Sequence, residues 1–306
     1  MYAGVESGGT KIVCAVSKDP EQLVARTSFP TGTDPQAAVI QIAEFFREQQ
    51  ENHGEIEAIG FGSFGPCDPN PSSSRFGYVT STPKPGWQNF DVISALRDAL
   101  KSKGLSGDVP IPFDTDVNAA ALAEHRCGAG RAVDCFAYFT VGTGIGGGAL
   151  ESGRLLHGLI HPEMGHIRIP RPASEIEVFD GVCPYHGDCW EGVAAGPAIA
   201  ARWGERGENL PAQHPAWDLE AAYLAAGLHA IVCTLSPGRI AVGGGVGLAP
   251  GLLERVRPLL LKSLANYVDS PVLLERIDEY LVPAATGADA GVIGAMLLAE
   301  QALSEK

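Results

Sequence analysis

The sequence predicts a duplicated α/β fold of two lobes facing one another across a cleft, and three observations carry that expectation. The chain has 306 residues, more than one ordinary core supports, so two lobes of roughly 100–200 residues each are expected. A strand, a glycine turn and a second strand open the chain at residues 2–17, and the same layout returns at 135–150. Between and after these units, strand-like and helical periodicities alternate, as they do in sheets covered by helices.

Residues 2–7 and 12–17 read as strands joined tightly at Gly8-Gly9-Thr10-Lys11, a β-hairpin. Residues 35–49 have amphipathic spacing, with Asp34 as N-cap and Pro35 at the first helical position. A strand is expected at 57–63. Residues 66–87, dense in Pro, Gly, Ser and Thr, read as a long loop, and long loops in compact domains are often functional. A helix at 91–103, a strand at 109–114 and an alanine-rich helix at 117–126 follow, which puts Asp116 at a strand-to-helix turn.

In the second half an apolar strand at 135–141 feeds the glycine-rich turn 142–148. A loop dense in His, Cys and Pro spans 155–190. Helices are expected at 195–202, 219–235 and 252–268, the last kinked or restarted at Pro258. A strand at 239–242 and a third glycine turn at 243–247 precede that last helix, and a final helix covers 288–303. No Pro/Ser linker separates the lobes. The boundary is therefore set beside the Asp116 helix: a smaller lobe of 1–117, on which the final helix packs back, and a larger lobe of 118–306 holding the cysteine-rich loop.

Composition narrows the function classes. With 45% hydrophobic and 19% charged residues the chain is that of an ordinary globular protein. A net charge of -14, with no lysine or arginine cluster to offset it locally, argues against nucleic acid and anionic lipid as partners. Apolar stretches such as 259–264 fall far short of the roughly 18 residues of a membrane span. The first residues lack a signal-peptide pattern, so a cytoplasmic protein is expected. Seven cysteines, an odd number in a chain this long, suggest reduced thiols or metal ligands rather than a disulfide scaffold.

Three glycine turns carry the first chemistry. Backbone N–H groups approach an anion closely where no side chain intervenes, and a nearby hydroxyl or ammonium adds donors. Gly8-Gly9-Thr10-Lys11 has both, Gly142-Thr143-Gly144 has a hydroxyl, and Gly243-Gly244-Gly245 stands between a strand and a helix. Any one of them also serves simply as a tight turn; three in this layout point to phosphate. Neither a P-loop nor a dinucleotide-binding fingerprint is present. Two phosphate turns on hairpins, with a third suited to a nucleoside, match instead the split ATP site of the actin, hexokinase and heat-shock-ATPase superfamily, with its ribonuclease H-like lobes.

Asp116 stands in Asp114-Thr115-Asp116-Val117-Asn118. A carboxylate at a strand end can take the proton of a phosphoryl-accepting hydroxyl as general base, and the competing reading is an N-cap for the following helix. The third constellation is His166 with Cys183-Pro184-Tyr185-His186-Gly187-Asp188-Cys189. His166, Cys183, His186 and Cys189 offer four ligands suited to a closed, tetrahedral, structural Zn²⁺ site. His157 and His161 compete with His166 for the upstream position.

These residues resemble the ROK family of sugar kinases, most closely its bacterial fructokinase branch, over essentially the whole chain. The match includes the run from Glu6 to Lys11, Gly60-Phe61-Gly62-Ser63-Phe64-Gly65-Pro66, Thr115-Asp116-Val117-Asn118-Ala119-Ala120 and Val141 to Gly148. It continues through His161-Pro162-Glu163-Met164-Gly165-His166, the cysteine cluster with Trp190-Glu191-Gly192, and Gly243-Gly244-Gly245-Val246. The resemblance implies that Asp116 is the base and that Gly65, Pro66, Asn118, Glu163, His166 and Glu191 hold the sugar. It implies that Gly8, Gly9, Thr10, Lys11, Gly142, Thr143, Gly144, Gly243, Gly244 and Gly245 line ATP, with Mg²⁺ between the phosphates. His166 would then serve both zinc and sugar.

The family's glucokinases usually carry Asp at the position of Glu6 and a third cysteine at that of His186, and both departures point to the fructokinase branch. The expected reaction is phosphorylation of D-fructose to fructose 6-phosphate, by a homodimer. The alternatives are a related kinase of mannose, glucose or an N-acetyl amino sugar, and a non-catalytic sugar-binding regulator. The family's repressors carry a helix-turn-helix ahead of the kinase body, whereas Glu6 lies near the first residue here, so a repressor is not expected.

Overall fold

The structure, a computed structural model, describes residues 1–172, 175 and 177–304. In chain order its elements are strands β1 (Tyr2–Ser7), β2 (Lys11–Ser17) and β3 (Ala25–Pro30), helix α1 (Pro35–His53), and strands β4 (Ala58–Ser63), β5 (Tyr78–Val79) and β6 (Phe90–Asp91). Helix α2 (Val92–Ser102), β7 (Phe113–Thr115), α3 (Asp116–Cys127), β8 (Cys135–Val141), β9 (Ile145–Glu151) and β10 (Arg154–Leu155) follow. After a 3-10 turn at Met164–His166 come α4 (Trp190–Ala194), α5 (Gly196–Trp203), α6 (Ala216–Leu235), β11 (Arg239–Gly243) and α7 (Leu252–Leu264). The short helices α8 (Pro271–Leu274) and α9 (Ile277–Tyr280), strand β12 (Leu281–Pro283) and helix α10 (Ala290–Ser304) complete the chain.

These elements form two compact units, one of Met1–Cys127, Leu155–Pro162 and Ala288–Lys306, the other of Gly128–Arg154 and Glu163–Gly287. The duplication expected from the two hairpins is present in the topology. One sheet runs β3-β2-β1-β4-β7 and the other β10-β9-β8-β11-β12. In each, an antiparallel hairpin is followed by two parallel strands, β4 and β7 in the first, β11 and β12 in the second.

Side chains alternate across a strand, and the first unit uses the two faces of its sheet differently. Ala3, Val5, Ile12, Cys14, Val16, Ile59 and Phe61 point to a core shared with Val39, Ile42 and Phe46 of α1 and Leu96 and Leu100 of α2. The opposite face carries Gly4 and Gly60, and there α10 lies on the strands. A Cβ on Gly60 would stand 1.6 Å from the Ala295 carbonyl oxygen, and one on Gly4 2.7 Å from that of Val292. Gly294 in turn meets α3, where a Cβ would stand 1.7 Å from the Ala119 carbonyl oxygen.

In the second unit Trp190 is fully buried. Its ring packs 5.5 Å from that of Phe139 on β8 and leaves no space for a side chain at Gly227 of α6. Ala216–Leu235 is the one helix among the described residues long and apolar enough to cross a membrane, and half of that stretch is buried within the structure. It packs along α7 and α4, with Glu220 wholly enclosed.

Three differences from the sequence reading have local causes. β3, not anticipated, is an edge strand of alternating exposure ending at Pro30, where no further ladder hydrogen bond is possible. The loop after Pro66 contains the short β5–β6 ladder. Helix α7 runs through Pro258 and stops at Leu264, because Ala265 and Asn266 adopt left-handed backbone with φ of 52° and 59°.

The α3–α10 contact yields a test whose sign is decisive. An alanine in a helix interior is favoured over glycine by about 1 kcal/mol from propensity alone. With Gly294 pressed on the Ala119 carbonyl, Gly294→Ala is instead expected to destabilise the protein by about 1–3 kcal/mol. Urea unfolding measures it as a lowered midpoint at unchanged slope; a raised midpoint would show that the two backbones are not in contact.

Candidate functional site

In the first unit the β1–β2 turn is shaped by its own backbone and by one distant cation. Gly8 N–H donates to Lys11 O at 2.9 Å, Thr31 Oγ1 donates to Gly8 O at 2.7 Å, and Lys84 Nζ donates to Gly9 O at 2.6 Å. Lys84 was not singled out from the sequence. Its mounting is firm because Trp87, three residues on, is fully buried and donates Nε1–H to Gly32 O. Gly86 between them has φ +83°, and a Cβ there would collide with Thr33 O. Beside the turn, burial and then the negative charge of Asp116 push the Glu6 carboxyl up to about 7, against the pull of Lys11 and Arg26. Its Oε2 is buried without a hydrogen-bond partner.

At the strand-to-helix junction after β7 the capping hydrogen bond comes from the residue before Asp116. The N-cap hydrogen bond is made by Thr115, whose Oγ1 accepts from Asn118 N–H at 3.0 Å. Asp116 is the first residue of α3, and its Oδ1 accepts from the neighbouring Val117 N–H at 2.9 Å. The capping duty therefore falls on Thr115. Gly65-Pro66, joined by a cis peptide bond, belongs to the same unit, with Pro66 O accepting from Thr80 N–H and Oγ1.

In the second unit His166 faces two ways. Its Nε2 lies 3.9 Å from Glu163 Oε2 and 3.9 Å from Glu191 Oε1. Its Nδ1 lies 3.4 Å from Cys189 Sγ and 3.7 Å from Cys183 Sγ. Glu191 is anchored by Ile145 N–H, donating to Oε2 at 2.9 Å, at the start of β9 and beside Gly144, where a Cβ would displace the carboxylate. Burial, followed by the charge of Glu191, pushes Glu163 up to about 7. Both carboxylates and the imidazole that the resemblance assigned to the sugar are thus one cluster.

The thiol side of His166 passes a metric test for zinc. Bonds of about 2.3 Å to sulfur and about 2.0–2.1 Å to nitrogen make the S···N edge of a tetrahedron about 3.6 Å. The edges found are 3.4 and 3.7 Å at His166 and 3.6 Å between Cys183 Sγ and His186 Nδ1. All four ligand atoms lie within 4.8 Å of one another. The loop between the cysteines is closed by reciprocal backbone hydrogen bonds of Cys183 and Gly187, and Asp188 pairs with Arg168 and Arg171. His157 and His161 are not part of the cluster: His157 pairs with Asp114, and His161 accepts the Cys67 N–H.

A cavity of about 880 Å³ opens in the second unit, lined by Gly142, Thr143 and Gly245. Gly142 O accepts Gly196 N–H at 2.8 Å, and Val246 and Gly247 N–H both donate to Val141 O, so the two glycine turns and the start of α5 are tied together. Gly244, at φ +83°, has no room for a Cβ beside Val141 O. It shapes the turn without lining the cavity, as does Gly243, which packs on the Tyr138 ring. Arg206, Glu208 and Trp217 on the wall carried no sequence motif and were not anticipated.

The zinc geometry has a direct test. Elemental analysis of the purified protein is expected to give one zinc per chain, and Cys183→Ser and Cys189→Ser are each expected to lose it. Chelation lowers Tm, because binding energy of a structural metal is folding energy. A metal-free wild-type protein of full stability, or stoichiometric zinc in both variants, contradicts the assignment.

Residues 2–302 match the ROK family. A fructokinase of Lactococcus lactis subsp. cremoris is 40% identical over 275 residues, 90% of this chain and 89% of its own length. A fructokinase of Pediococcus pentosaceus is 36% identical over 304 residues, 99% of each chain. The crystal structure of a ROK hexokinase from Thermus thermophilus superposes with a TM-score of 0.78 at 29% identity, over 100% of this chain and 99% of that one. With a family match over nearly every residue, and the glycine turns, Asp116 junction and Cys/His cluster formed as described, the chain belongs to the ROK family.

Proposed function

We propose that the protein is an ATP-dependent fructokinase, transferring the γ-phosphoryl group of ATP to the 6-hydroxyl of free D-fructose. The observation that carries the chemistry is the Asp116 carboxylate, placed at the first residue of α3 while Thr115 does the capping. The choice of sugar rests on the near-full-length relatives, which are fructokinases.

In this reading Asp116 accepts the proton of the attacking hydroxyl as its oxygen bonds to the γ-phosphorus and the bond to the β-phosphate bridge oxygen breaks, leaving ADP. Gly65, Pro66 and Asn118, with Glu163, His166 and Glu191, orient the sugar. Glu163, held near 7, is suited to donate to or accept from a hydroxyl. Gly8 and Gly142 use their N–H groups to close the two hairpin turns. The remaining N–H groups of Gly8 to Lys11 and of Gly142 to Gly144 receive phosphates, with Lys11, Thr10 and Thr143 as further donors, while the turn Gly243-Gly244-Gly245 shapes the place of the nucleoside. ATP enters as its magnesium complex, whose cation neutralises charge developing between the phosphates. The Cys/His cluster, with all four positions protein-filled when zinc is bound, fixes His166 and the backbone between Glu163 and Glu191.

Two measurements test this. Asp116→Asn is expected to keep ATP binding while turnover falls about 10²–10⁴-fold, the usual contribution of a general base; near-wild-type turnover removes Asp116 from the chemistry. In a parallel assay of fructose, glucose, mannose and N-acetyl amino sugars, fructose is expected to give the highest kcat/KM, with product phosphate on the 6-oxygen. A clear preference for another sugar replaces fructose with that sugar and leaves the kinase reading in place.

A further inference from the structure

Two histidines near the sugar-binding motifs have no part in the roles above. The chain passes from Arg154 of the second unit into Leu155–Pro162, which packs on the first unit, and re-enters the second at Glu163. On this strap His161 accepts the Cys67 N–H through Nε2 at 3.2 Å, directly after Gly65-Pro66. His157 Nε2 lies 2.8 Å from Asp114 Oδ2, with the Asp114 side chain only 6% exposed.

Both oxygens of Asp114 are engaged. Its Oδ1 accepts from Thr115 N–H at 2.7 Å and from Asn118 Nδ2 at 2.8 Å, and its Oδ2 faces His157. A carboxylate only accepts, so His157 must present a protonated Nε2 and Asn118 must present its amide nitrogen. That fixes the Asn118 carboxamide, itself buried, with its oxygen turned away from Asp114. Without the imidazole, the buried Asp114 carboxylate would have one oxygen unsatisfied and would be free to rotate, and the amide it holds would lose its reference. The imidazole is charge-matched to this task, its pKa raised first by the hydrogen bond to Asp114.

We propose that His157 is a positioning residue for hexose recognition, acting through Asp114 to hold the Asn118 carboxamide in the orientation that receives a sugar hydroxyl. The proposal rests on the reading of Asn118 as a sugar ligand, and its test separates the two. Steady-state kinetics with fructose and ATP varied independently compare His157→Ala, His157→Gln, Asn118→Ala and the double variant His157→Ala/Asn118→Ala. His157→Ala is expected to raise KM for fructose about tenfold to a hundredfold, the size of a lost hydrogen bond to a charged group, with KM for ATP close to wild type and Tm lowered by a few degrees for the unsatisfied carboxylate oxygen. His157→Gln, whose Nε2 reaches the same place, is expected to recover most of the loss. The double variant is expected to be no worse than Asn118→Ala alone, because the histidine acts through the amide.

An unaffected fructose KM in His157→Ala, equal damage to fructose and ATP, failure of glutamine to rescue, or additive losses in the double variant each overturn the proposal. If Asn118→Ala itself leaves fructose KM unchanged, the sugar reading of Asn118 falls and the proposal falls with it. If Asn118→Ala is harmful and His157→Ala silent, only the proposal falls.

Discussion

Backbone pressed against backbone is the constraint on which the first unit depends. Helix α10 rests on β1 and β4 where Gly4 and Gly60 leave the strand surface bare, and Gly294 lets the same helix touch α3 at the Ala119 carbonyl. Protein interiors are packed to crystal density, so such a contact fixes the separation of the elements to a fraction of an ångström. Asp114, Thr115 and Asp116 lie at the join of β7 and α3, and α3 is held at that distance by α10. The placement of the Asp116 carboxylate is therefore inherited from three glycines with no chemistry of their own.

The carboxylates near the motifs are differentiated by what surrounds them. Asp114 is enclosed and accepts from three N–H donors, which suits it to holding other groups. Asp116 leaves the helix cap to Thr115 and accepts from the Val117 N–H. Glu6 and Glu163 are both pushed up to about 7 by burial first and by a second carboxylate next, and Glu191 is tied to the Ile145 N–H. Carboxylates close in sequence or space thus come to differ through hydrogen-bond donors and burial alone.

Much of this was legible in the residues. The hairpins, the glycine turns and the Cys/His spacing each rest on a local physical requirement that a short run of sequence displays. Spacing left the upstream zinc position open among His157, His161 and His166, because the answer depends on partners far along the chain: Asp114 takes His157 and the Cys67 N–H takes His161. Lys84 was invisible for the same reason, its bond to Gly9 spanning 75 positions. Arg206, Glu208 and Trp217 form a wall only through folding of the second unit. Edge strand β3 alternates half-buried and exposed positions in ordinary residues, too short a signal to separate from a loop. The N-cap alternative for Asp116 could not be weighed from sequence, because the adjacent Thr115 hydroxyl is an equally good cap and only the fold shows that it takes that bond.

The closing of the first sheet by α10 also dictates an order of events during synthesis. Strands β1, β2, β3, β4 and β7 are made first, yet the helix that covers Gly4 and Gly60 comes from Ala290–Ser304, after every residue of the second unit. While a ribosome works through residues 163–287, the bare glycine face of the first sheet has no cover, and the second unit is complete in sequence before the first one is. Domains usually fold in the order in which they emerge. Here the unit that begins the chain is the last able to finish.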